Sequence, residues 1–251
     1  MDDVCAVVLA AGKGTRMKKR IPKTLRLLRG KPLIYWSLGL LRRLGIKKII
    51  VVTGYGAELV RGFIKKAGFN VTIVKQEKLL GTGFAVKIAL KEISKISKTV
   101  LVLFGDDSAL YSEDTMKRFI TYYFKEGKPG TMLVVERDTP TSLGGLKRDA
   151  KNNVVGVCTK QEMEDAGITK HQVVCGAFIF EKRWLSKNIK LVKKNPISGE
   201  YLLPSLIGIA AAKKEFLKTF KLPNPDEWQS INTEEELKEA EKKSIRNKNG
   251  N

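Results

Sequence analysis

The chain has 251 residues, of which 43% are hydrophobic and 29% charged, a balance typical of one or two globular domains and not of a disordered chain. Lys and Arg number 47 against 26 Asp and Glu, so the formal net charge of +21 predicts an anionic partner, and nucleic acid is the first class to weigh. The apolar run Val4–Ala11 is too short to cross a membrane and follows two aspartates, so we expect neither a signal peptide nor a membrane span.

The first half alternates short β-branched runs with longer segments that have the apolar spacing of helices. Nearly continuous apolar runs predict buried parallel strands at Val4–Leu9, Ile49–Thr53, Val71–Lys75 and Val100–Phe104. Helices are expected between and after these strands, at Leu33–Leu44, Ala57–Lys66, Phe84–Ile93 and Tyr111–Phe124. Such a strand-helix series predicts an α/β fold with a mostly parallel central sheet covered by helices.

The second half has a different pattern. Strands are predicted at Thr131–Glu136, Val154–Thr159 and Val173–Phe180, without clear helices between them, which indicates a small antiparallel insertion. A helix is expected at Glu200–Lys213, and a terminal helix should begin at Thr233, which has capping-box spacing to Glu236. We therefore expect a single domain over 1–251, with a frayed polar tail at 242–251.

The cysteines and the histidine limit the chemistry. Cys5, Cys158 and Cys175 form no Cys-x-x-Cys pair, which disfavours a disulfide framework or a zinc ribbon and favours a reducing, cytoplasmic compartment. His171 is the only histidine and is expected at the surface beside a strand, so a serine triad or a two-histidine metal helix is not expected. Carboxylates, amides, basic side chains and backbone groups remain, and these suit phosphate chemistry.

A glycine-rich segment, Leu9–Arg16, follows the first predicted strand directly. Small residues after a buried strand let backbone N–H groups approach a phosphate or a base. The spacing matches neither the Walker loop nor the dinucleotide fingerprint, because no Gly-Lys-Ser/Thr ending and no third glycine are present. Pro22-Lys23 follows at short range, inside a dense basic run.

These residues carry a family resemblance. Leu9–Arg16 with Pro22-Lys23 resembles the signature of the sugar-phosphate nucleotidyltransferases. Later segments resemble family segments in the same order, namely Gln76 with Leu80–Ala85, Phe104-Gly105-Asp106, Gly199-Glu200-Tyr201 and Ile231-Asn232. The chain is most similar to the uridyltransferase domain of the bacterial N-acetylglucosamine-1-phosphate uridyltransferases. The resemblance implies a Rossmann-like nucleotidyltransferase fold, and too few residues follow for the left-handed β-helix that carries acetyl transfer in those enzymes.

The resemblance implies a set of nucleotide and phosphate contacts. Arg16 would lie against the β- and γ-phosphates and Lys23 near the α-phosphate, as the catalytic residues. Gln76 can pair with a donor and an acceptor on a pyrimidine edge, so UTP is the favoured nucleotide. The implied nucleotide-binding residues are Leu9, Ala10, Ala11, Gly12, Gly14, Thr15, Gln76, Gly81 and Thr82.

A metal site is also implied. Asp106 follows a buried strand at its carboxyl end, where open α/β sheets place their ligands, and the resemblance makes it a Mg²⁺ ligand. Asn232 would supply an amide oxygen as the second metal ligand. Asp107 is expected to cap a helix or to support its neighbour.

The sugar side departs from the family pattern. Where the family has a glutamate in one strand and Asn-Thr-Gly or Asn-Ala-Gly in the next, this chain has Thr159-Lys160 and Val174-Cys175-Gly176. Gly144 or Gly145 still matches a glycine near the sugar, and Lys160 is a candidate ligand of the acceptor phosphate. The candidate sugar-binding residues are therefore Gly144, Thr159, Lys160 and Val174.

Together these features predict an enzyme that joins a nucleoside triphosphate to a sugar 1-phosphate and releases pyrophosphate, with Mg²⁺ as cofactor. UDP-N-acetylglucosamine or a related UDP-sugar is the expected product. The alternatives are another acceptor, such as glucose 1-phosphate or choline phosphate, or a non-catalytic basic protein that binds nucleotides or nucleic acid. The enzyme is favoured because all four implied catalytic and metal-binding residues are present together, namely Arg16, Lys23, Asp106 and Asn232. No specific nucleic-acid partner is therefore expected.

Overall fold

The computed structural model describes residues 3–14, 21–94, 97–138 and 144–249. Its strands are β1 (Val4–Ala10), β2 (Leu27–Leu28), β3 (Lys31–Pro32), β4 (Lys48–Thr53), β5 (Thr72–Lys75), β6 (Thr99–Phe104), β7 (Gly130–Asp138), β8 (Gly145–Arg148), β9 (Val154–Cys158), β10 (Lys170–Glu181) and β11 (Lys218–Lys221). Its helices are α1 (Leu33–Arg43), α2 (Ala57–Lys66), α3 (Thr82–Ala89), α4 (Glu113–Glu126), α5 (Lys160–Asp165), α6 (Lys182–Asn188), α7 (Leu206–Ala212) and α8 (Glu234–Asn249).

A seven-stranded sheet in the order β11-β7-β10-β6-β1-β4-β5 forms the centre of the fold. β1 pairs in parallel with β4 and β6, whereas β10 is antiparallel to both β6 and β7. Two small antiparallel pairs, β2–β3 and β8–β9, lie outside it. The predicted α/β class with a mostly parallel central sheet is confirmed. The strand predicted at Val173–Phe180 belongs to this sheet as part of β10, so the insertion is the β8–β9 pair.

The two faces of the sheet are both covered, which is why the parallel strands are apolar throughout. Every residue of β1 is buried. Ala6 and Val8 pack into a core beneath α1, α2 and α4, whereas Val7 and Leu9 point into a second core beneath α3, α6 and α7. This alternation follows from the two-residue period of a strand. The result is a sheet that is packed on both faces.

One predicted helix begins much later than expected. The sequence predicts a helix over Glu200–Lys213, but the chain is extended at Tyr201, and α7 begins only after a 3₁₀ turn at Leu203–Ser205. The reason is a long-range backbone pairing. The Tyr201 N–H donates to the carbonyl oxygen of Leu80 at 2.8 Å, and the Tyr201 carbonyl accepts from the Gly83 N–H at 2.7 Å.

A helix that was not predicted, α5, separates β9 from β10. Thr159 caps it, because the Thr159 hydroxyl accepts from the Glu162 N–H at 3.2 Å and the Glu162 carboxylate accepts from the Thr159 N–H at 2.6 Å. This is a complete capping box. Thr159 therefore ends the strand and begins a helix, one residue after β9 stops at Cys158.

The terminal helix has the predicted start. The Thr233 hydroxyl accepts from the Glu236 N–H at 3.1 Å, and the Glu236 carboxylate accepts from the Thr233 N–H at 3.2 Å. The frayed tail expected from residue 242 is instead helical as far as Asn249, and the Ser244 side chain on this segment is buried. Within the described ranges, no helix is long and apolar enough to cross a membrane.

His171 is buried, which corrects the expected surface position. It lies on β10 and is only 7% exposed. The β8–β9 pair covers it so closely that a Cβ on Gly145 would lie 3.0 Å from the His171 Cδ2. Burial lowers the pKa of the imidazole, and the nearby Asp138 carboxylate opposes this shift.

We predict that the folded-state pKa of His171 lies below its ordinary value of 6.5, because burial disfavours the imidazolium. Since the unfolded chain then binds the proton more readily, the free energy of unfolding should fall as the pH drops through 6.5. As this is the only histidine, an NMR titration of the untagged protein measures its pKa directly. A folded-state pKa at or above the ordinary value would contradict the prediction.

Candidate active site

A cleft of about 350 Å³ opens at the carboxyl ends of β1 and β6. Open α/β sheets bind ligands at this edge. Most of the implied nucleotide, catalytic and metal residues line it, namely Leu9, Ala11, Gly12, Gly14, Lys23, Gln76, Gly81, Thr82, Asp106 and Asn232. Ala10 does not, because its side chain is buried at the end of β1. Thr15 and Arg16 lie outside the described residues.

Lys23, Asp106 and Asn232 meet in this cleft from three distant segments. Lys23 begins a 3₁₀ turn after the glycine-rich segment, Asp106 follows β6, and Asn232 precedes α8. The Lys23 ammonium forms an ion pair with the Asp106 carboxylate and donates to the Asn232 amide oxygen at 3.0 Å. The Lys23 side chain is only 11% exposed, so solvent screens this pair weakly.

The start of α8 fixes the orientation of Asn232. The Asn232 amide nitrogen donates to the Ser230 hydroxyl, so the amide oxygen faces Lys23. The Asn232 backbone N–H donates to the Glu236 carboxylate, the same group that completes the capping box of α8. The Glu236 carboxylate therefore both caps α8 and holds Asn232 in position.

Asp107 does not make the expected cap. It precedes the 3₁₀ turn at Ser108–Leu110, but its side chain forms no capping hydrogen bond, and its Oδ1 is buried without a partner. Burial and the adjacent Asp106 carboxylate raise the pKa of Asp107 to about 7, against the opposing effects of Lys23 and the Ile231 backbone N–H. Since Ile231 precedes Asn232, Asp107 supports the segment that carries the amide.

The cleft also contains two oxygen donors suited to a divalent cation. The Asp106 carboxylate and the Asn232 amide oxygen both contact the Lys23 ammonium, so the two oxygen donors lie close together. The described part of the chain holds no group of three His, Cys, Asp or Glu residues that could bind a metal ion. Mg²⁺ is nevertheless commonly held by one or two protein oxygens together with waters and substrate phosphates. Asp106 and Asn232 therefore fit such an ion.

Gly81 is required by a close backbone approach. Its φ of +94° is in the left-handed region, and a Cβ would lie 2.7 Å from the Tyr201 carbonyl oxygen. The Thr82 hydroxyl accepts from the Leu203 N–H at 2.9 Å and holds the same junction. Gln76 is 3% exposed, and its amide donates to the Gly81 carbonyl at 3.2 Å.

The candidate sugar residues lie outside the cleft wall. Thr159 caps α5, and the Lys160 ammonium pairs with the Glu164 carboxylate at 3.3 Å on the same helix. Val174 is half-buried against the core, next to an irregularity in the pairing of β10 with β7. A Cβ on Gly144 would lie 2.3 Å from the carbonyl oxygen of Cys158, so this glycine is required by local packing.

Several cleft residues were not among the predicted contacts. They are Lys13, Thr24, Leu79, Ala85, Phe104 and Glu200. Thr24 is 5% exposed, and its hydroxyl oxygen is buried without a hydrogen-bond partner. Its position directly after Lys23 is the signal that could have identified it. Glu200 lies in the Gly199–Tyr201 segment that resembles the family, and no role was predicted for its carboxylate.

Comparison with known proteins identifies the family. Residues 6–187 match the model of the MobA-like NTP transferase domain. The chain belongs to this family. It is therefore a nucleotidyltransferase, as the sequence predicted. Nucleotidyltransferases of this family generally use a divalent metal ion.

Curated relatives include the bifunctional protein GlmU of two bacteria. The protein from Pelotomaculum thermopropionicum is 33% identical over 240 residues, which cover 96% of this chain and 52% of that protein. The protein from an Exiguobacterium species is 33% identical over 236 residues, covering 94% and 51% respectively. The chain thus spans about half the length of these relatives.

Solved structures share the fold. HddC from Yersinia pseudotuberculosis, in a complex with GMP-PN, superposes with a TM-score of 0.70 at 25% identity, covering 97% of this chain and 99% of that one. A Bacillus anthracis protein assigned as a glucose-1-phosphate thymidylyltransferase gives a TM-score of 0.76 at 19% identity, covering 96% and 95%. These similarities confirm the predicted Rossmann-like nucleotidyltransferase fold.

We predict that Gly81→Ala lowers the free energy of unfolding by about 2 kcal/mol or more, because the new methyl group meets the Tyr201 carbonyl and the positive φ is strained. The matched control is Gly62→Ala, on the exposed face of α2, where a Cβ meets nothing within 4 Å. The control should be neutral or stabilise the protein by up to about 1 kcal/mol. Urea unfolding measures both, and equal effects of the two substitutions would refute the close approach.

Proposed function

We propose that this nucleotidyltransferase joins UTP to a sugar 1-phosphate, N-acetylglucosamine 1-phosphate or a close relative of it, and releases pyrophosphate. The observation that carries the proposal is the convergence of Lys23, Asp106 and Asn232 in one cleft beside the glycine-rich segment. The family resemblance implied a catalytic residue and two metal ligands at these positions. A protein that only binds nucleic acid has no need of this arrangement.

The reaction follows from the groups in the cleft. An oxygen of the acceptor phosphate attacks the α-phosphorus in line and forms a new phosphorus–oxygen bond. The bond between the α-phosphorus and the oxygen that bridges it to the β-phosphorus breaks. Pyrophosphate leaves with the electron pair of that bond. No covalent enzyme intermediate is needed, so the absence of a second histidine is no obstacle. Positioning and charge neutralisation supply most of the catalysis in such a transfer.

Lys23 would offset the negative charge at the α-phosphate. Its ammonium already points into the cleft, held between a carboxylate and an amide oxygen. A preorganised positive charge in a weakly screened site stabilises the transition state without a reorganisation cost. We assign Arg16 to the β- and γ-phosphates on the family resemblance alone.

Asp106 and Asn232 would hold Mg²⁺. When bound, the ion would neutralise phosphate charge and align the reacting groups. The donor set supports this assignment, since both groups offer hard oxygen atoms at the carboxyl end of the sheet.

The preference for UTP is attributed to Gln76. Its buried amide lies next to Gly81 in the cleft wall and has the donor and acceptor that a pyrimidine edge requires. We predict turnover with UTP at least tenfold faster than with ATP or GTP. The measurement is pyrophosphate release with each triphosphate and N-acetylglucosamine 1-phosphate, glucose 1-phosphate or choline phosphate. Equal turnover with the purine triphosphates would refute the assignment of Gln76 to a pyrimidine base. Pyrophosphate release with choline phosphate alone would refute a sugar 1-phosphate as the acceptor.

The metal assignment is tested by Asp106→Asn, which we expect to reduce turnover at least a hundredfold while leaving the circular dichroism spectrum unchanged. The side chain keeps its size and loses its charge, so the substitution removes the ion pair with Lys23 without opening a cavity. Asp114→Asn, on the exposed face of α4, removes the same charge from a residue that does not line the cleft and should retain full activity. Near-normal turnover of the Asp106 variant at low Mg²⁺ would overturn the assignment.

A further inference from the structure

A second pocket lies on the other side of the segment that carries Gly81. Its volume is about 410 Å³. The residues of its apolar lining are Leu80, Gly83, Phe84, Ile189, Val192 and Tyr201. None of these six residues lines the cleft described above, although Leu80 and Gly83 flank residues that do. The two cavities are therefore neighbours that use different side chains.

The rim of this pocket carries a concentrated positive charge. Four lysines line it, Lys87, Lys190, Lys193 and Lys194, and all of them are exposed. No Asp or Glu is among the lining residues. Over the part of the chain that the structure describes, none of the four ammonium groups forms an ion pair with a carboxylate. Their charge is thus available to an anion from solution.

The floor of the pocket is aromatic. The rings of Phe84 and Tyr201 are half-buried, with centroids 6.2 Å apart and planes inclined at 32°. The Lys194 ammonium lies 5.9 Å from the centroid of the Tyr201 ring. A flat heterocycle can stack on such rings while a charged group reaches the lysines. An anion without an aromatic group would leave this surface unused.

We propose that this pocket is a second binding site, which takes a nucleoside polyphosphate with its phosphates on the lysine rim and its base against Phe84 and Tyr201. The size, the apolar walls and the unpaired charges all match this chemical class. The pocket does not depend on the residues assigned to catalysis. It can therefore be tested even if the proposed reaction is wrong.

The test counts bound UTP per chain by equilibrium dialysis. The pocket variant is Lys193→Ala with Lys194→Ala, and the matched control is Lys65→Ala with Lys66→Ala, which removes two exposed lysines at the end of α2. Both variants lose the same net charge. We expect the pocket variant to bind one UTP fewer than the control at a concentration that saturates the control. We expect the affinity of that second UTP to fall at least tenfold.

Phe84→Leu tests the role of the aromatic floor. The substitution should weaken binding of the second UTP and make inorganic pyrophosphate displace that UTP more effectively than it does from the parent, because pyrophosphate has no base to lose a contact. The proposal is overturned if the pocket variant and the control bind the same number of UTP molecules with the same affinity. It is also overturned if pyrophosphate displaces the second UTP from the parent as effectively as unlabelled UTP does, because the base then contributes nothing.

Discussion

The geometry of the cleft depends on one contact, the ion pair between Lys23 and Asp106 that the amide of Asn232 completes. The two charged side chains are 11% and 22% exposed, so each would pay a substantial desolvation penalty without the other. Pairing therefore ties the turn after the glycine-rich segment to the end of β6 and to the start of α8. The cleft residues on these three segments take their positions from this contact.

A second constraint acts on the opposite wall. Gly81 and Gly83 lie so close to Tyr201 that the two segments exchange backbone hydrogen bonds, at 2.7 and 2.8 Å. A strand-like contact of this kind needs small residues, since a side chain at either glycine would force the backbones apart. The same contact separates the cleft from the basic pocket behind it. The junction between Gly81, Gly83 and Tyr201 thus contributes lining residues to both the cleft and the basic pocket.

The sequence was informative where local patterns carry the signal. Continuous apolar runs located the parallel strands, because strands buried on both faces have no polar side. The capping box at Thr233 located the start of α8. The same signature, Thr159 followed by Glu162, was present at α5 and would have identified that helix. Patterns of neighbouring residues were therefore reliable for the buried parallel strands and for the helix caps.

Long-range contacts could not be predicted from patterns of neighbouring residues. The extended chain at Tyr201 contradicts a sequence with good helical spacing, because its backbone groups bond to a segment more than a hundred residues earlier. The burial of His171 likewise depends on the β8–β9 pair lying over β10. The cleft residues were found through family motifs, and the contacts that hold them, such as Asn232 with Ser230, required the structure.

The span of the contacts at Asn232 has a consequence for how the protein matures. Lys23 and Asn232 are 209 positions apart in the sequence, so a ribosome must add that many residues after Lys23 before this hydrogen bond can form. Contacts of such long range also form late in folding, because closing a large loop costs chain entropy before it gains anything. A chain in which only the sheet has formed, or in which α8 has locally detached, lacks one side of the cleft. The complete cleft therefore reports on the fully folded fraction of the protein and not on its secondary structure.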